Sequence, residues 1–227
     1  MIYLFCGDIR AGKTSLLTYL GIMNALNAEK RAKMRAACKS LIAEGFDVST
    51  EKYALYADFN VIYDNMHGDI LRAVKVEPLE IGSSVFIRPH STLLISESQG
   101  YFNARRSMFM TPKQALFFQT SGHFGVDIYL DCQDIENVDK VVRNISKIIQ
   151  VHGRTVYDGR GRVTSWADSR DFTKIVWNIT EYESAAAFDK GKGRARSIVS
   201  PFNIFDCYNS FERFNNFLPD KKEIKIV

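Results

Sequence analysis

The sequence has few of the residues that build metal centres or disulfide frameworks. Its 227 residues include only four cysteines and four histidines. Cys6, Cys38, Cys132 and Cys207 are far apart, and they form no CxxC pair and lie near no metal-spaced histidines. This scarcity argues against a zinc site and against a disulfide-stapled fold. It is typical of a protein kept in a reducing compartment such as the cytoplasm.

Long apolar runs and a strong charge of one sign are also missing. No apolar segment approaches the roughly 20 residues that a membrane-spanning helix needs, and the N-terminus lacks the basic-then-apolar pattern of a secretory signal peptide. The net charge of +4 permits an anionic partner without requiring one. The length predicts a single globular domain over residues 1–227, to which the part from about residue 147 adds strands and loops.

Apolar, strand-like segments alternate with helical patterns along the chain. Ile2–Cys6 is predicted to be a buried strand and Val126–Cys132 a further strand. Thr92–Ser96 is apolar on both faces, as a central strand of a parallel sheet is. A long helical pattern runs from about Lys13 to Glu44, and Gly45 is suited to end it. The alternation predicts an α/β fold with a mostly parallel central sheet and helices on both of its faces.

The first predicted strand leads directly into a phosphate-loop motif. The segment GDIRAGKT, from Gly7 to Thr14, has the required glycine, four residues, glycine, lysine and threonine, and it opens a predicted helix. The loop amides and the helix N-terminus would face the phosphates of ATP. Lys13 would reach the β- and γ-phosphates, and Thr14 would offer its hydroxyl to Mg²⁺. The predicted nucleotide-binding residues are Gly7, Asp8, Ile9, Arg10, Ala11, Gly12, Lys13, Thr14 and Ser15.

A second group of candidate residues follows the apolar segment TLLI. Phosphate-loop hydrolases need an acid at the end of a neighbouring strand to hold Mg²⁺ through water, and many add a glutamate that activates the attacking water. Ser96 stands in the first position here and Glu97 in the second. We therefore expect Glu97 to polarise water, and Thr14, Ser96 and Glu97 to serve the metal. Gln133, at the tip of the next predicted strand, is the candidate sensor of the γ-phosphate. The alternatives are a solvent-facing Glu97 and a simple loop amide at Gln133.

Four segments together resemble the zonula occludens toxin family, which includes the assembly ATPases of filamentous phages. They are MIYLFCGDIRAGKTS, LLISESQGYFNAR, SGHFGVDIYLDCQDIENVDKVVR and FDCYNSF. The resemblance implies a three-layer P-loop NTPase fold of the ASCE, RecA-like type, in which an inserted strand separates the acid strand from the first strand. It also implies hydrolysis of ATP with Mg²⁺, coupled to assembly or export of single-stranded DNA virions at the host inner membrane. Family members usually carry an acid where Ser96 stands.

The resemblance further implies an oligomeric machine at the membrane. Arg143 matches the family's downstream arginine and would act across a subunit interface, with Arg105 and Arg106 as rivals for that role. The implied partners are further copies of the chain, possibly as a hexamer, single-stranded DNA or phage nucleoprotein, and other phage assembly proteins. Family members usually continue into a membrane-spanning helix and an outer domain. The chain then corresponds to the cytoplasmic portion, peripheral to or anchored in the inner membrane, or to a short relative.

Two other functions remain open from the residues themselves. A nucleotide-binding switch or scaffold would bind ATP with little turnover, and Ser96 in place of an acid favours it. A small-molecule or nucleoside kinase would need an acceptor-binding acid after the second strand, for which Asp58 is the candidate. The segment KGKGRAR, at positions 190–196, is predicted to be a loop that either contacts nucleic-acid phosphates or is simply solvated.

Overall fold

A nine-stranded sheet forms the centre of the molecule within residues 1–48, 54–64, 70–104, 110–164, 172–202 and 204–208, which the computed structural model describes. Its strands are β1 (Ile2–Cys6), β2 (Leu55–Ala57), β5 (Val74–Lys75), β6 (Thr92–Ile95), β7 (Asp127–Asp131), β8 (Ser146–Asp158), β9 (Val163–Thr164), β10 (Phe172–Tyr182) and β11 (Arg194–Ser200). The strands β3 (Ile62–Asp64) and β4 (Ile70–Arg72) form a separate antiparallel pair. The helices are α1 (Lys13–Leu26), α2 (Ala28–Ala43), α3 (Pro112–Thr120), α4 (Lys140–Ile145) and α5 (Ala185–Asp189).

The order of the parallel strands confirms the predicted fold class. Strands lie side by side as β8-β1-β7-β6-β2-β5, all parallel to their neighbours. Strand β7 therefore separates β1 from β6, the strand that leads to Ser96 and Glu97, as the ASCE arrangement requires. Beyond β8 the long strand β10 and the edge strand β11 are antiparallel. They are the added strands that the sequence predicts after about residue 147.

Helices cover both faces of the sheet and divide the core in two. On one face Leu16 and Leu17 of α1 pack with the buried Trp177 of β10. On the other face Met34 of α2 and Phe118 of α3 pack against the sheet. The apolar side chains of β1, β6 and β7 point alternately into these two clusters, which explains why those segments are apolar at nearly every position.

The single helix predicted from Lys13 to Glu44 is wrong, because two helices occupy that segment. Asn27 leaves the helical conformation, with a ψ of 121°, and its side-chain oxygen accepts the backbone N–H of Lys30 at 2.9 Å. An asparagine in this role starts a new helix, and the chain changes direction there. The predicted end is confirmed, since Gly45 follows α2 with a φ of +91°.

The segment KGKGRAR is also not wholly the loop that its charge and glycines predict. Its last three residues begin β11, which pairs with β10 so that Arg196 lies opposite Ile179. Arg196 also forms an ion pair with Glu181 across the two strands. Edge strands commonly carry charged side chains, because charge discourages pairing with other chains, and this removes the apolar alternation that would reveal the strand.

Asp127, at the start of β7, joins three parts of the fold, and its loss should destabilise the protein. Its carboxylate accepts hydrogen bonds from Asn24 of α1 and Lys30 of α2. Burial opposes its ionisation, but these donors and the Met1 ammonium outweigh burial and lower the pKa of Asp127. Because that pKa lies below its unfolded value, the carboxylate adds stability above about pH 4, and the contribution is lost as the pH falls.

We expect Asp127→Asn to lower the free energy of unfolding by about 2 kcal/mol at pH 7, as measured by urea denaturation. The difference from wild type should shrink as the pH falls through the folded-state pKa of Asp127. Asp189→Asn, at an exposed position, is the control and should change stability by less than about 0.5 kcal/mol. An equal loss at pH 7 and at acidic pH would contradict the ionic role.

Candidate functional site

Three parallel strands end at the same edge of the sheet, which we call the carboxyl edge. Cys6 ends β1, Ile95 ends β6 and Asp131 ends β7, and the register aligns Phe5 with Asp131 and Ile95 with Leu130. The loop that begins at Gly7 therefore lies beside the residues that follow β6 and β7. Ligands of open α/β sheets bind at this edge.

The loop itself needs its first glycine. Gly7 has a φ of +138°, and a Cβ built on it would lie 2.3 Å from the backbone oxygen of Val151 on the neighbouring strand β8. Gly12 has a φ of +95° and is packed against the side chains of Arg154 and Trp177. Only glycine combines these backbone angles with such close packing. The phosphate-loop glycines are thus explained by the contacts of this chain.

We expect Gly7→Ala to lower the free energy of unfolding by about 1–3 kcal/mol, because the added methyl group must displace the β8 backbone or distort the loop. ATP binding should weaken in the same variant. Gly122→Ala is the matched control, since no atom lies within 4 Å of a Cβ at that position and its φ is not positive. Denaturant titration of both variants measures the difference, and equal effects at the two positions would contradict the packing argument.

The N-terminus of α1 and Lys13 concentrate positive charge on the loop. The first intrahelical hydrogen bond runs from the N–H of Leu16 to Gly12 O, so the amides of Lys13, Thr14 and Ser15 precede the helical ladder. The Lys13 ammonium donates to the backbone oxygens of Gly7 at 2.8 Å and of Asp8 at 2.9 Å. A helix N-terminus beside an ammonium group is a site for anions such as phosphate.

Thr14 contacts a carboxylate that the sequence did not indicate. Its hydroxyl donates to Asp131 Oδ2 at 2.7 Å, and Asp131 is only 2% exposed. Burial raises the pKa of the Asp131 carboxyl, although the Glu97 N–H and the Thr14 hydroxyl oppose the rise by donating to it. The signal in the sequence is the second of two acids in the segment VDIYLDC, one residue before its end. The sequence instead favours Gln133 as the polar residue at the tip of that strand.

The tip of β6 is held in place by carboxylates on both sides. The backbone N–H of Ser96 donates to Asp58 Oδ1 at 3.0 Å, and the N–H of Glu97 donates to Asp131 Oδ1. Glu97 adopts the left-handed conformation with a φ of +51°, which is uncommon for a residue with a side chain. Its side chain is exposed and accepts a long contact of 3.4 Å from the Gln99 amide. Backbone strain of this kind is concentrated at functional sites.

The remaining predicted residues lie in different places. Gln133 is exposed two residues after β7 ends, at the carboxyl edge. Arg143 is half-buried in the last turn of α4, three residues before β8 begins opposite Ile2. It therefore lies at the edge where the strands begin, about 16 Å from the loop along β1. Its role across a subunit interface stays a prediction, and the rivals Arg105 and Arg106 fall outside the described residues.

A wall beside the loop was missed because it comes from distant residues. Strands β8 and β10 extend past the loop and pair Arg154 with Trp177. The Trp177 indole N–H donates to Ser15 Oγ at 3.2 Å. Burial raises the pKa of the nearby Tyr208 to about 12, so its hydroxyl stays protonated. This wall fixes the helix N-terminus against the sheet.

The donors near Thr14 suit a hard cation that keeps water and phosphate ligands. Within the described part of the chain, no group of three or more His, Cys, Asp or Glu side chains is placed to enclose a metal. Mg²⁺ in nucleotide sites needs no such cage, since one or two protein oxygens and the substrate phosphates suffice. The thiols of Cys6 and Cys132 near the loop are not ligands of this kind, and burial raises the pKa of both.

Comparison with known proteins decides the family. The family model described as Zonular occludens toxin (Zot) matches residues 1–185. The chain belongs to this family. Comparison with curated protein sequences gives no match. Among the described residues, no helix of this Zot-family chain is both long and apolar enough to cross a membrane.

Of two similar solved structures, the first agrees with the family match at the level of the fold. The N-terminal domain of zonular occludens toxin from Neisseria meningitidis is 13% identical, with a TM-score of 0.51, and the match covers 92% of this chain and 98% of that one. The genome packaging NTPase B204 from Sulfolobus turreted icosahedral virus 2, in complex with ATP-gammaS, is 12% identical with a TM-score of 0.41. That match covers 89% of this chain and 98% of the packaging NTPase.

Proposed function

We propose that this Zot-family chain is a phosphate-loop ATPase that drives assembly or export of single-stranded DNA phage at the host inner membrane. One observation carries the proposal. Lys13 and Thr14 of the loop, and Glu97 at the tip of β6, come together at the carboxyl edge, where Asp131 joins Thr14 to the Glu97 backbone. A phosphate-binding loop alone would serve many purposes, but a loop beside a strand tip that carries a glutamate suits hydrolysis.

The binding half of the site follows from the loop contacts. The amides at the start of α1 and the Lys13 ammonium would donate to phosphate oxygens, and Lys13 would exchange its bonds to Gly7 and Asp8 for them. Thr14 would hold Mg²⁺, with Ser96 and Glu97 contributing partly through water. Mg²⁺, when bound with ATP, neutralises charge on the β- and γ-phosphates. Arg154 and Trp177 support this arrangement from behind by packing against Gly12.

The hydrolytic half of the site depends on Glu97 and its neighbours. Glu97 would accept a proton from the attacking water, and its exposed side chain leaves room for that water. Gln133, on the next strand tip, would contact the γ-phosphate and report its presence. Arg143 would act from a neighbouring subunit, which requires an oligomer, because within its own chain it lies at the opposite edge of the sheet.

A nucleotide-binding switch in phage assembly is the second candidate function. The observation that favours it is Ser96, because a hydroxyl at the tip of β6 holds a metal less strongly than a carboxylate does. Such a protein would bind ATP tightly and turn it over slowly. The kinase alternative loses its support, since Asp58 is 7% exposed and accepts the Ser96 N–H.

Steady-state hydrolysis of ATP by the wild-type chain, with and without single-stranded DNA, tests the proposal. We expect turnover that single-stranded DNA stimulates, together with saturable binding of ATP. Tight binding with no turnover under either condition would favour the switch. Transfer of phosphate to an added acceptor rather than to water would overturn the ATPase assignment.

A further inference from the structure

The tip of β6 lacks a carboxylate at the position where the nucleotide site needs one. Ser96 follows directly after Ile95, and its backbone N–H is engaged by Asp58. The Ser96 hydroxyl offers a neutral oxygen, whereas Mg²⁺ prefers carboxylate oxygens among protein ligands. The charge that would balance the cation must therefore come from another position.

Asp131 supplies a carboxylate on the neighbouring strand, within reach of the loop. It ends β7, which lies between β1 and β6. Its two oxygens accept hydrogen bonds from the two sides of the site. Oδ2 accepts from the Thr14 hydroxyl at 2.7 Å, and Oδ1 accepts from the backbone N–H of Glu97. A single buried side chain thus connects the phosphate loop with the tip of β6.

The direction of the bond from Thr14 matters for a cation. A hydroxyl has one proton and two acceptor lone pairs. Because the Thr14 hydroxyl donates its hydrogen bond to Asp131, both lone pairs of the hydroxyl oxygen remain available to a cation. Carboxylates placed behind a ligand in this way orient it and strengthen its binding of the metal.

Because Asp131 is buried, a nearby cation would stabilise its carboxylate. The side chain is 2% exposed, and within the described residues no lysine or arginine lies within ion-pair distance of its oxygens. A buried carboxylate without a partner cation is costly. A divalent cation next to Thr14 would balance this charge.

Other acids at the carboxyl edge fit the role less well. Asp58 follows β2, which is three strands away from β1 and hence about 14 Å to the side. The Glu97 side chain is exposed, and its backbone at the tip of β6 has a positive φ. Neither of them contacts Thr14 as Asp131 does.

We propose that Asp131, carried on β7, is the carboxylate that serves the Mg²⁺ of bound ATP in place of an acid at position 96. The inference rests on the proposed function, because it concerns the same nucleotide site. It places the metal-balancing acid one strand closer to β1 than the tip of β6, and it leaves Ser96 to contribute only through water.

Asp131→Asn tests the inference through metal-dependent binding rather than turnover. We would titrate a slowly hydrolysed fluorescent ATP analogue with and without Mg²⁺, and measure Mn²⁺ binding to the protein–nucleotide complex by electron paramagnetic resonance. The Mg²⁺-dependent gain in nucleotide affinity, and the Mn²⁺ affinity, should each fall by about 10–100-fold. Affinity for the analogue without metal should stay near that of wild type.

Two further variants separate a metal role from a general one. Asp134→Asn removes an exposed carboxylate three residues along the chain and should leave the Mg²⁺-dependent gain unchanged. Ser96→Asp in the Asp131→Asn background returns an acid to the tip of the adjacent strand. It should restore most of the metal-dependent gain, which a purely structural role of Asp131 would not predict.

Several results would overturn the inference. A full Mg²⁺-dependent gain in Asp131→Asn would do so, as would an equal loss of affinity with and without metal. If Asp131→Asn does not fold, a crystal of the wild-type chain with Mn²⁺ and the analogue decides the question. The metal should lie about 2 Å from the Asp131 carboxylate, or about 4 Å if the Thr14 hydroxyl or one water intervenes, and a larger separation would refute the inference. A wild-type chain that binds no nucleotide would overturn the proposed function and this inference with it.

Discussion

Glu97→Gln is expected to lower the turnover of ATP by about 10²–10⁴-fold, the range that a positioned general base contributes. Affinity for ATP should change by less than about threefold, because glutamine keeps the size and polarity of the side chain and the phosphate loop is untouched. Single-turnover hydrolysis combined with equilibrium binding of ATP measures both quantities. The result would be a bound but unreacted nucleotide.

The physical reason is the position of Glu97 relative to the loop. Its backbone N–H donates to Asp131, which also accepts from Thr14, so the tip of β6 is fixed with respect to the phosphate loop. The left-handed backbone at Glu97 turns the chain sharply after a buried strand. Strain of about 1–3 kcal/mol at such a residue persists only where surrounding contacts hold it.

Glu136→Gln provides the matched control for Glu97→Gln. Glu136 is exposed in the short turn of 3₁₀ helix after β7, so its replacement removes one negative charge near the same edge. Its turnover should stay within about twofold of wild type, as for most surface substitutions. Unchanged turnover in Glu97→Gln would show that another group activates the water.

The parts of the site that the sequence predicts are those encoded locally. Strand, glycine loop and helix follow one another from Ile2 to Leu26, and the pattern of residue types indicates this arrangement and predicts roles for Lys13 and Thr14. The apolar character of β6 and β7 likewise identifies them as central strands. Their parallel order follows from helices that alternate with strands.

The parts that the sequence did not reveal depend on contacts between distant residues. Thr14 and Asp131 are 117 positions apart, and Ser15 and Trp177 are 162 apart. No periodicity or spacing encodes such pairs, since they arise only when the sheet brings the strand ends together. The break at Asn27 is local. Asparagine is tolerated inside helices as well as at their starts, so the residue type alone does not show whether the segment forms one helix or two.

The second large effect is expected from Lys13→Ala, which should lower ATP turnover by about 10²–10³-fold, as the loss of a donor to the reacting group does. Binding of ATP should weaken as well, since the ammonium would contact phosphate in the ground state too. Isothermal titration of ATP together with steady-state hydrolysis measures the two effects. Folding should be little affected, because Lys13 is only half-buried and bonds to backbone oxygens of its own loop.

The geometry of the loop makes this position specific for lysine. A compact ammonium fits between Gly7 O and Asp8 O, 2.8 and 2.9 Å away, whereas the planar guanidinium of Lys13→Arg is larger and donates in a fixed fork. We expect Lys13→Arg to retain less than about a tenth of wild-type turnover despite its charge, a loss of at least about 1.4 kcal/mol in transition-state stabilisation. Lys33→Ala, on the exposed face of α2, should be neutral in both assays. Full turnover in Lys13→Arg would mean that the position supplies charge alone, and full binding and turnover in Lys13→Ala would show that this loop does not hold the nucleotide.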